Sequence, residues 1–382
     1  MAVNLDYNAT TPLDERVLEA MLPYLRTHHG NPSSLHRQGR IVRGAIERAR
    51  EQVAALVNAH PSQVVFTSGG TEANNLALKG VCAALEPGHL IISAIEHSSA
   101  LTPAQSLAKS GWRVEALPVD PHGQVTADRV RAVLAQDTRL VSVMMANNET
   151  GVIQDTRGIS AVVRDAGAVF HCDAVQALGK IAVDFGAEGA HLMSLSAHKI
   201  YGPKGMGALI YDRSLSLEPL LHGSGHEAGL RSGTENVAGI VGFGAAAELV
   251  HGEWQAHGAS LRRLRDYLEQ RLHELPGVVI FCEHAERLSN TVFMALPGID
   301  GEALKMNLDR AGIAISSGSA CTAGSTEPSH VLTAMGIDPG IALGAIRISL
   351  GRDSTRRDID VLIDALMRQC RALGDDSLLA WG

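Results

Sequence analysis

Leu192-Met-Ser-Leu-Ser-Ala-His-Lys-Ile-Tyr-Gly-Pro-Lys-Gly-Met-Gly-Ala-Leu-Ile-Tyr211 sets two short apolar runs, 192–195 and 208–211, on either side of a turn crowded with reactive groups. The turn carries a hydroxyl (Ser196), an imidazole (His198) and an amine (Lys199). Upstream, Ala168-Val-Phe170 is another short apolar run, followed by Asp173-Ala-Val-Gln176. Further runs stand at Val64-Val-Phe66, His89-Leu-Ile-Ile-Ser93 and Leu140-Val-Ser-Val-Met-Met145. Between about residues 40 and 250 they alternate with helical patterns, the sign of helices on both sides of a largely parallel sheet. Ligands collect beyond the carboxyl ends of strands in such sheets. Ser68–Thr71, Glu96-His97, Asn147-Asn148, His171–Asp173 and Ser196–Lys199 are therefore expected to converge on one crevice.

Beyond residue 252 the texture changes. A charged helical stretch, Ser260 to Leu275, precedes strand-like runs at Val278–Phe281 and Thr291–Leu296, a helix over Gly301–Ala311, strands at Ile313–Ser316 and Ala345–Leu350, and a last helix near Thr355–Leu373. This reads as a smaller α+β unit. Residues 13–251 are expected to form a large α/β domain, with residues 1–12 and 252–382 forming the small one.

Composition excludes several function classes. The chain has 382 residues, 45% of them apolar and 19% charged, which fits a two-domain globular enzyme rather than a disordered binder. Its 33 basic and 41 acidic side chains give a net charge of −8, so neither nucleic acid nor an anionic membrane surface is an expected partner. The first residues, Met-Ala-Val-Asn-Leu-Asp, have no basic region followed by an apolar core, so a cytoplasmic location is expected. The longest apolar stretch, Val237 to Val250, is rich in glycine and alanine and too short to span a bilayer; it reads as a closely packed helix. Five cysteines (82, 172, 282, 321 and 370) are widely spaced and form no Cys-x-x-Cys pair, so reduced thiols and no resident metal are expected.

Lys199, flanked by Ser196, His198, Tyr201 and glycines, can lose water on folding, which lowers its pKa and frees an amine for Schiff-base formation. Ser68-Gly-Gly-Thr-Glu-Ala-Asn-Asn75 follows a strand and opens a helix, so the backbone N–H groups around Gly70 and Thr71 suit a phosphate. His97 could stack on a flat conjugated ring and shuttle protons, Asp173 could meet a protonated pyridine nitrogen, and Gln176 could bond a phenolic oxygen. Pyridoxal 5′-phosphate (PLP) would use all of them. Taken singly, each has a plainer reading: a glycine turn with a Thr cap, a hydrogen-bonded or exposed histidine, a helix N-cap, a solvent-facing amide.

Nearly end to end, the chain resembles the cysteine desulfurases of the NifS/IscS type, PLP enzymes of the class V aminotransferase group of fold-type I. The resemblance rests on Leu5-Asp-Tyr-Asn-Ala-Thr-Thr-Pro12, Gly30-Asn-Pro-Ser-Ser-Leu-His36, Phe66-Thr-Ser-Gly-Gly-Thr-Glu72, Glu96-His97, Ala146-Asn-Asn-Glu-Thr-Gly151, His171-Cys-Asp-Ala-Val-Gln176, Ser196-Ala-His-Lys199, Arg231-Ser-Gly-Thr-Glu-Asn236 and Ser316-Ser-Gly-Ser-Ala-Cys-Thr322. It implies the fold-type I PLP-dependent transferase fold, a large mostly parallel domain flanked by helices plus a smaller α+β domain. Lys199 would carry the cofactor, with His97 stacked on its ring as acid/base, Asp173 at the pyridine nitrogen and Gln176 at the phenolic oxygen. Gly70, Thr71, Ser196 and His198 would hold the phosphate, joined by Thr234 from a second subunit of a homodimer. Asn8, Asn147 and Arg347 would bind the substrate carboxylate, a guanidinium being suited to two parallel hydrogen bonds.

Cys321 stands apart from the other cysteines because Ser316–Pro328 is small and polar, which suits an exposed, mobile thiol. By the resemblance, Cys321 attacks the sulfur of L-cysteine, alanine is released, and the resulting persulfide is passed to an acceptor such as an iron–sulfur scaffold protein. A transient iron–sulfur cluster on Cys321 is the one metal species left open. The chain departs from the family pattern at Ser224 and Ala228, which bears on dimer contacts. A selenocysteine lyase or another class V aminotransferase is the neighbouring reading, and a non-catalytic sulfur-relay scaffold a reading of another class; the scaffold predicts decay at the cofactor positions, yet Lys199, Asp173 and His97 are all present.

Overall fold

The computed structural model describes residues 3–317 and 327–379. Its strands are β1 (Val3–Asn4), β2 (Val64–Thr67), β3 (His89–Ser93), β4 (Arg113–Leu117), β5 (Thr138–Ser142), β6 (Val169–Asp173), β7 (Leu192–Ser196) and β8 (Gly207–Tyr211). These are followed by β9 (Val279–Ile280), β10 (Thr291–Ala295), β11 (Ile313–Ala314), β12 (Ser316–Ser317) and β13 (Ala345–Ser349). Seven strands form the central sheet in the order β2-β8-β7-β6-β5-β3-β4, parallel except for β8. The fold is the α/β sheet flanked by helices that the alternating runs predict. Each of β2, β3, β7 and β8 is buried along its length, as strands covered on both faces must be.

β7 and β8 pair antiparallel, so the lysine turn between them is held at one end of the sheet. Gly207 opens β8 at a point where a Cβ would lie 2.5 Å from the carbonyl carbon of Gly69 and 2.7 Å from the carbonyl oxygen of Leu195. No other residue fits there, and the close approach presses the turn after β2 against the end of β7.

β9, β10, β13 and β12 form a second, antiparallel sheet. Along β10, Val292 and Met294 enter a core shared with Leu268, Leu272 and Ile363, whereas Phe293 and Ala295 join the core that continues under the central sheet. The period-2 alternation of a strand thus lets one sheet serve two cores. The expected single strand at Ile313–Ser316 is two: β11 pairs parallel with β1, and β12 pairs with β13. β4 escaped the sequence reading because it is an edge strand whose Arg113 and Glu115 break any apolar run. The expected boundary at residue 252 falls inside one continuous 36-residue helix, Val237–Leu272. Its first half buries small residues and Phe243 in the larger core, while Leu268 and Leu272 bury in the smaller one.

Candidate active site

The carboxyl ends of β3, β6 and β7 and the turn after β2 open onto a cavity of about 420 Å³. Lys199, Asp173, His97, Gln176 and Arg347 all line it. A wider open groove of about 950 Å³ lies elsewhere, beside Arg43, His60 and His226, and contains neither a lysine nor the strand-end acid.

His97 is the N-cap of the helix Ser98–Ala108. Its Nδ1 accepts the Ser99 backbone N–H at 3.1 Å and lies 2.7 Å from Ser99 Oγ, which leaves the ring proton on Nε2. Asn74 Nδ2 donates to Ser99 Oγ (2.9 Å) and to Asp173 Oδ2 (2.7 Å), linking the imidazole to the carboxylate through two buried side chains. Asp173 Oδ1 also accepts the Val175 N–H at 2.9 Å. Burial, opposed by the charge of Asp173, lowers the pKa of His97, so its ring is neutral near pH 7. Behind it, Glu96 is fully buried and accepts the Met144 N–H at 2.6 Å; burial and the nearby Asp173 push its carboxyl well above the usual range. Behind Asp173 the cavity wall thus carries a second acid whose ionisation burial opposes.

Lys199 ends the short 3₁₀ turn Ala197–Lys199 that follows β7. Its Nζ donates to the carbonyls of Asn8 and Ala9, the latter at 2.8 Å, so the chain's first segment holds the amine at the cavity. His198 Nδ1 lies 3.2 Å from Thr10 Oγ1, and burial, then Lys199 and Lys204, lower this imidazole to about 4. Three observations test whether PLP fits. Ser196 Oγ is buried with no hydrogen-bond partner, although a hydroxyl there demands one. The 14-residue helix Gly70–Ala83 starts without a side-chain cap, and its first N–H groups border the cavity. A Cβ on Gly70 would lie 2.8 Å from Val175 Cγ2, so that rim stays backbone-only. An anion-seeking helix end, an orphaned hydroxyl, a carboxylate and an amine about one cavity match the phosphate, ring nitrogen and aldehyde of PLP.

The three residues expected at the substrate carboxylate do not all face the cavity. Arg347, on β13, lines the cavity, with Nη1 donating to the Asn148 carbonyl (3.0 Å) and Nη2 to Asp6 Oδ1 (2.9 Å), while its Nε is buried without a partner. Asn147 is fully buried away from the cavity; its Oδ1 accepts the N–H groups of Glu149 and Thr150, both at 2.9 Å, and its Nδ2 donates to the Ile95 carbonyl. Asn148, one residue on, lines the cavity instead. Asn8 borders the cavity, but its amide is spent within the protein: Oδ1 accepts from Lys180 and Asn290, and Nδ2 donates to Thr291 Oγ1 and the Asn148 carbonyl. Asn74, Ser99 and Asp6 were missed by sequence reasoning. Asn74 was legible in principle, since it lies in the quoted turn segment as a polar residue on the inner face of an otherwise apolar helix.

Thr234 does not line the cavity of its own chain and borders the wide groove. The tract with Ser224 and Ala228 is pinned by Glu227, which accepts from Arg50 (2.7 Å) and from the Phe66 N–H (2.8 Å); Glu227 and Ala228 both have left-handed backbone, φ 49° and 55°. Cys321 lies outside the described residues. On one side of it Ser316 lines the cavity; on the other Ser329 Oγ donates to Glu149, and His330 Nε2 lies 2.9 Å from the Glu96 carbonyl oxygen. Among the described cysteines, burial pushes Cys82 and Cys282 up to about 12 and raises Cys172 well above the usual thiol range, so these remain unreactive thiols.

Residues 3–362 match the aminotransferase class-V family model. Similar proteins include a cysteine desulfurase IscS of Dictyoglomus turgidum, 43% identical over 96% of this chain and 94% of that protein, and cysteine desulfurase IscS 1 of Archaeoglobus fulgidus, 44% identical over 94% and 95%. Among solved structures, a NifS-like protein superposes with a TM-score of 0.91 at 38% identity, covering 98% of this chain and all of the other. SspA in complex with cysteine superposes with a TM-score of 0.82 at 36% identity, covering 92% and 99%.

Proposed function

Given that the chain belongs to the class-V aminotransferase family and is a PLP-dependent cysteine desulfurase, we propose that the 420 Å³ cavity is where it acts on L-cysteine, with Lys199, His97, Asp173 and Arg347 as its working residues. PLP supplies an electrophilic aldehyde and a conjugated ring that accepts the electrons leaving the amino acid. Lys199 would hold the aldehyde and Asp173 the ring nitrogen, with His97 over the ring, Gln176 at the phenolic oxygen, and the Gly70–Thr71 turn, Ser196 and His198 around the phosphate. Arg347 orients the substrate by its carboxylate, its unpartnered Nε and adjacent Nη2 forming the bidentate edge, with Asn148 beside it. Asn147 and Asn8 act by shaping the loops that carry these groups.

Once oriented, the substrate loses its Cα proton to the Lys199 amine, and neutral His97 keeps its own proton at Nε2. The Cys321 thiolate then bonds to the substrate sulfur as the Cβ–S bond breaks. The electron pair of that bond stays with carbon; Cβ takes up the proton given up by the substrate thiol and Cα recovers its proton from the Lys199 ammonium, which gives L-alanine and leaves Cys321 as a persulfide anion. A sulfur-acceptor protein would take that sulfur, and iron–sulfur cluster assembly is the use that the IscS names of its relatives favour. We place the enzyme in the cytoplasm as a homodimer whose Thr234 completes the neighbouring phosphate site. The position of Thr234 off its own cavity, beside the wide groove, supports the dimer. No helix among the described residues is long and apolar enough to cross a membrane. The chain divides by function into a cofactor-bearing part and a smaller part with β10, β12 and β13, joined by the long helix.

The convergence of Lys199, Asp173, His97 and Arg347 on one cavity carries this reading. Borohydride reduction followed by peptide mapping should fix the cofactor on Lys199. Alanine and sulfide release from L-cysteine should then be lost in Cys321→Ala with the cofactor absorbance intact. Cofactor fixed elsewhere, or full turnover without Cys321, would refute the assignment.

A further inference from the structure

A second lysine lies against this site without entering it. Gln176 and Lys180 sit four residues apart in the turn that follows β6, where the left-handed Gly179 (φ 72°) leaves their side chains in contact. Lys180 Nζ donates to Gln176 Oε1 at 2.7 Å and to Asn8 Oδ1 at 2.9 Å. Gln176 Nε2 donates to the main-chain carbonyl of Asn8 at 3.0 Å. That carbonyl can only accept, so two separate partners fix the same orientation of the Gln176 amide: oxygen toward Lys180, nitrogen toward the first segment and the cavity that Gln176 lines. Asn8 is fixed in the same way, because its Nδ2 faces the Asn148 carbonyl and its Oδ1 is left for Lys180 and Asn290.

We propose that Lys180 is a positioning residue for the cofactor: it locks the Gln176 amide so that Nε2–H, never Oε1, is presented to the phenolic oxygen of bound PLP. This rests on the cofactor assignment above and deepens it. Lys180 does not line the 420 Å³ cavity; it faces a separate space of about 40 Å³ behind Lys199, shared with Tyr7, Tyr201, His257 and Arg352. Its surroundings are short of counter-charge: burial first, then the charges of Lys199 and Arg347, hold its amine well below the usual lysine range. With no carboxylate partner among the described residues, Lys180 serves through the two oxygens it holds. With the amide locked, the proton it presents stabilises the anionic form of the phenolic oxygen, whereas a flipped amide would set one oxygen against another.

The test is the pH titration of the visible cofactor band in the holoenzyme for wild type, Lys180→Met, Gln176→Ala and the double variant. Lys180→Met should raise the titration midpoint by roughly one unit, the scale of losing one close donor or charge. Gln176→Ala should do likewise, and the double variant should go no further than the larger single shift, because both act through one hydrogen bond. A midpoint unchanged in Lys180→Met, or two shifts that add in full, overturns the inference. Should Lys180→Met fail to fold, Lys180→Gln, whose shorter amide cannot hold both oxygens, is read by the same outcomes. A wild-type protein that develops no visible band with PLP would sink the cofactor assignment itself, a result distinct from either.

Discussion

The Arg347 guanidinium, which we assign to the substrate carboxylate, is held on two sides: one arm rests on the Asn148 carbonyl and another on Asp6, leaving a buried Nε that needs an acceptor. Lysine cannot reproduce that fork, so Arg347→Lys should raise KM for L-cysteine by roughly 10- to 100-fold, the worth of a charge-assisted hydrogen bond, and change kcat much less in steady-state assays. The neighbouring asparagines separate by the same logic. Asn147→Ala strands two buried N–H groups and should lower stability by about 2–4 kcal/mol in denaturant titration, whereas Asn148→Ala should spare stability and lower kcat/KM. Lys199, Asp173 and His97 were legible in the sequence because each follows a strand-like run, and strand ends meet in such sheets. Spacing could not choose between Asn147 and Asn148, since a turn decides which of two adjacent side chains faces inward. Nor does the sequence reveal that the Asn8 amide is consumed by Lys180, Asn290 and Thr291, partners as far as 283 residues away.

The elements that make the pocket are two turns forced together. Gly207 admits the backbone of Gly69, and Gly70 admits Val175, so the helix end beyond β2 reaches the lysine turn beyond β7. Gly207→Ala must push those backbones apart at a cost of about 1–3 kcal/mol. It should weaken PLP retention on dialysis more than Gly205→Ala, although Gly205 has φ 77°, because position 205 opens to free space. Strand existence was readable wherever both faces are buried. β4 was not readable, being a charged edge, and the division of residues 313–317 between β11 and β12 was not either, because their partners β1 and β13 lie at distant points of the chain.

For the molecule as a whole, interior histidines set the acid limit. His171 is fully buried between Ser142 and Ser194 and its pKa is lowered to about 4 by burial, against 6.5 in the unfolded chain. Between these values the unfolded chain binds a proton that the native protein refuses, so stability falls as pH drops from 6.5 toward 4 and levels off below. The loss for this one group is on the order of 3 kcal/mol. Glu96 and Glu149, raised by burial, act in the opposite sense as pH rises. Replacing His171 by Gln should therefore flatten the dependence between pH 4 and 6.5 in thermal melts and leave the alkaline limb as it was.

The first segment has a practical bearing on engineering the enzyme. Within a few residues it forms β1 against β11, buries Leu5, and offers the Asn8 and Ala9 carbonyls to the reactive amine. A fusion partner that tugs on this end, or trimming back to Tyr7, would loosen that packing and the hold on the amine together. Affinity handles, surface tethers and split-protein junctions on this scaffold belong elsewhere, for instance at the exposed turn around Gly111.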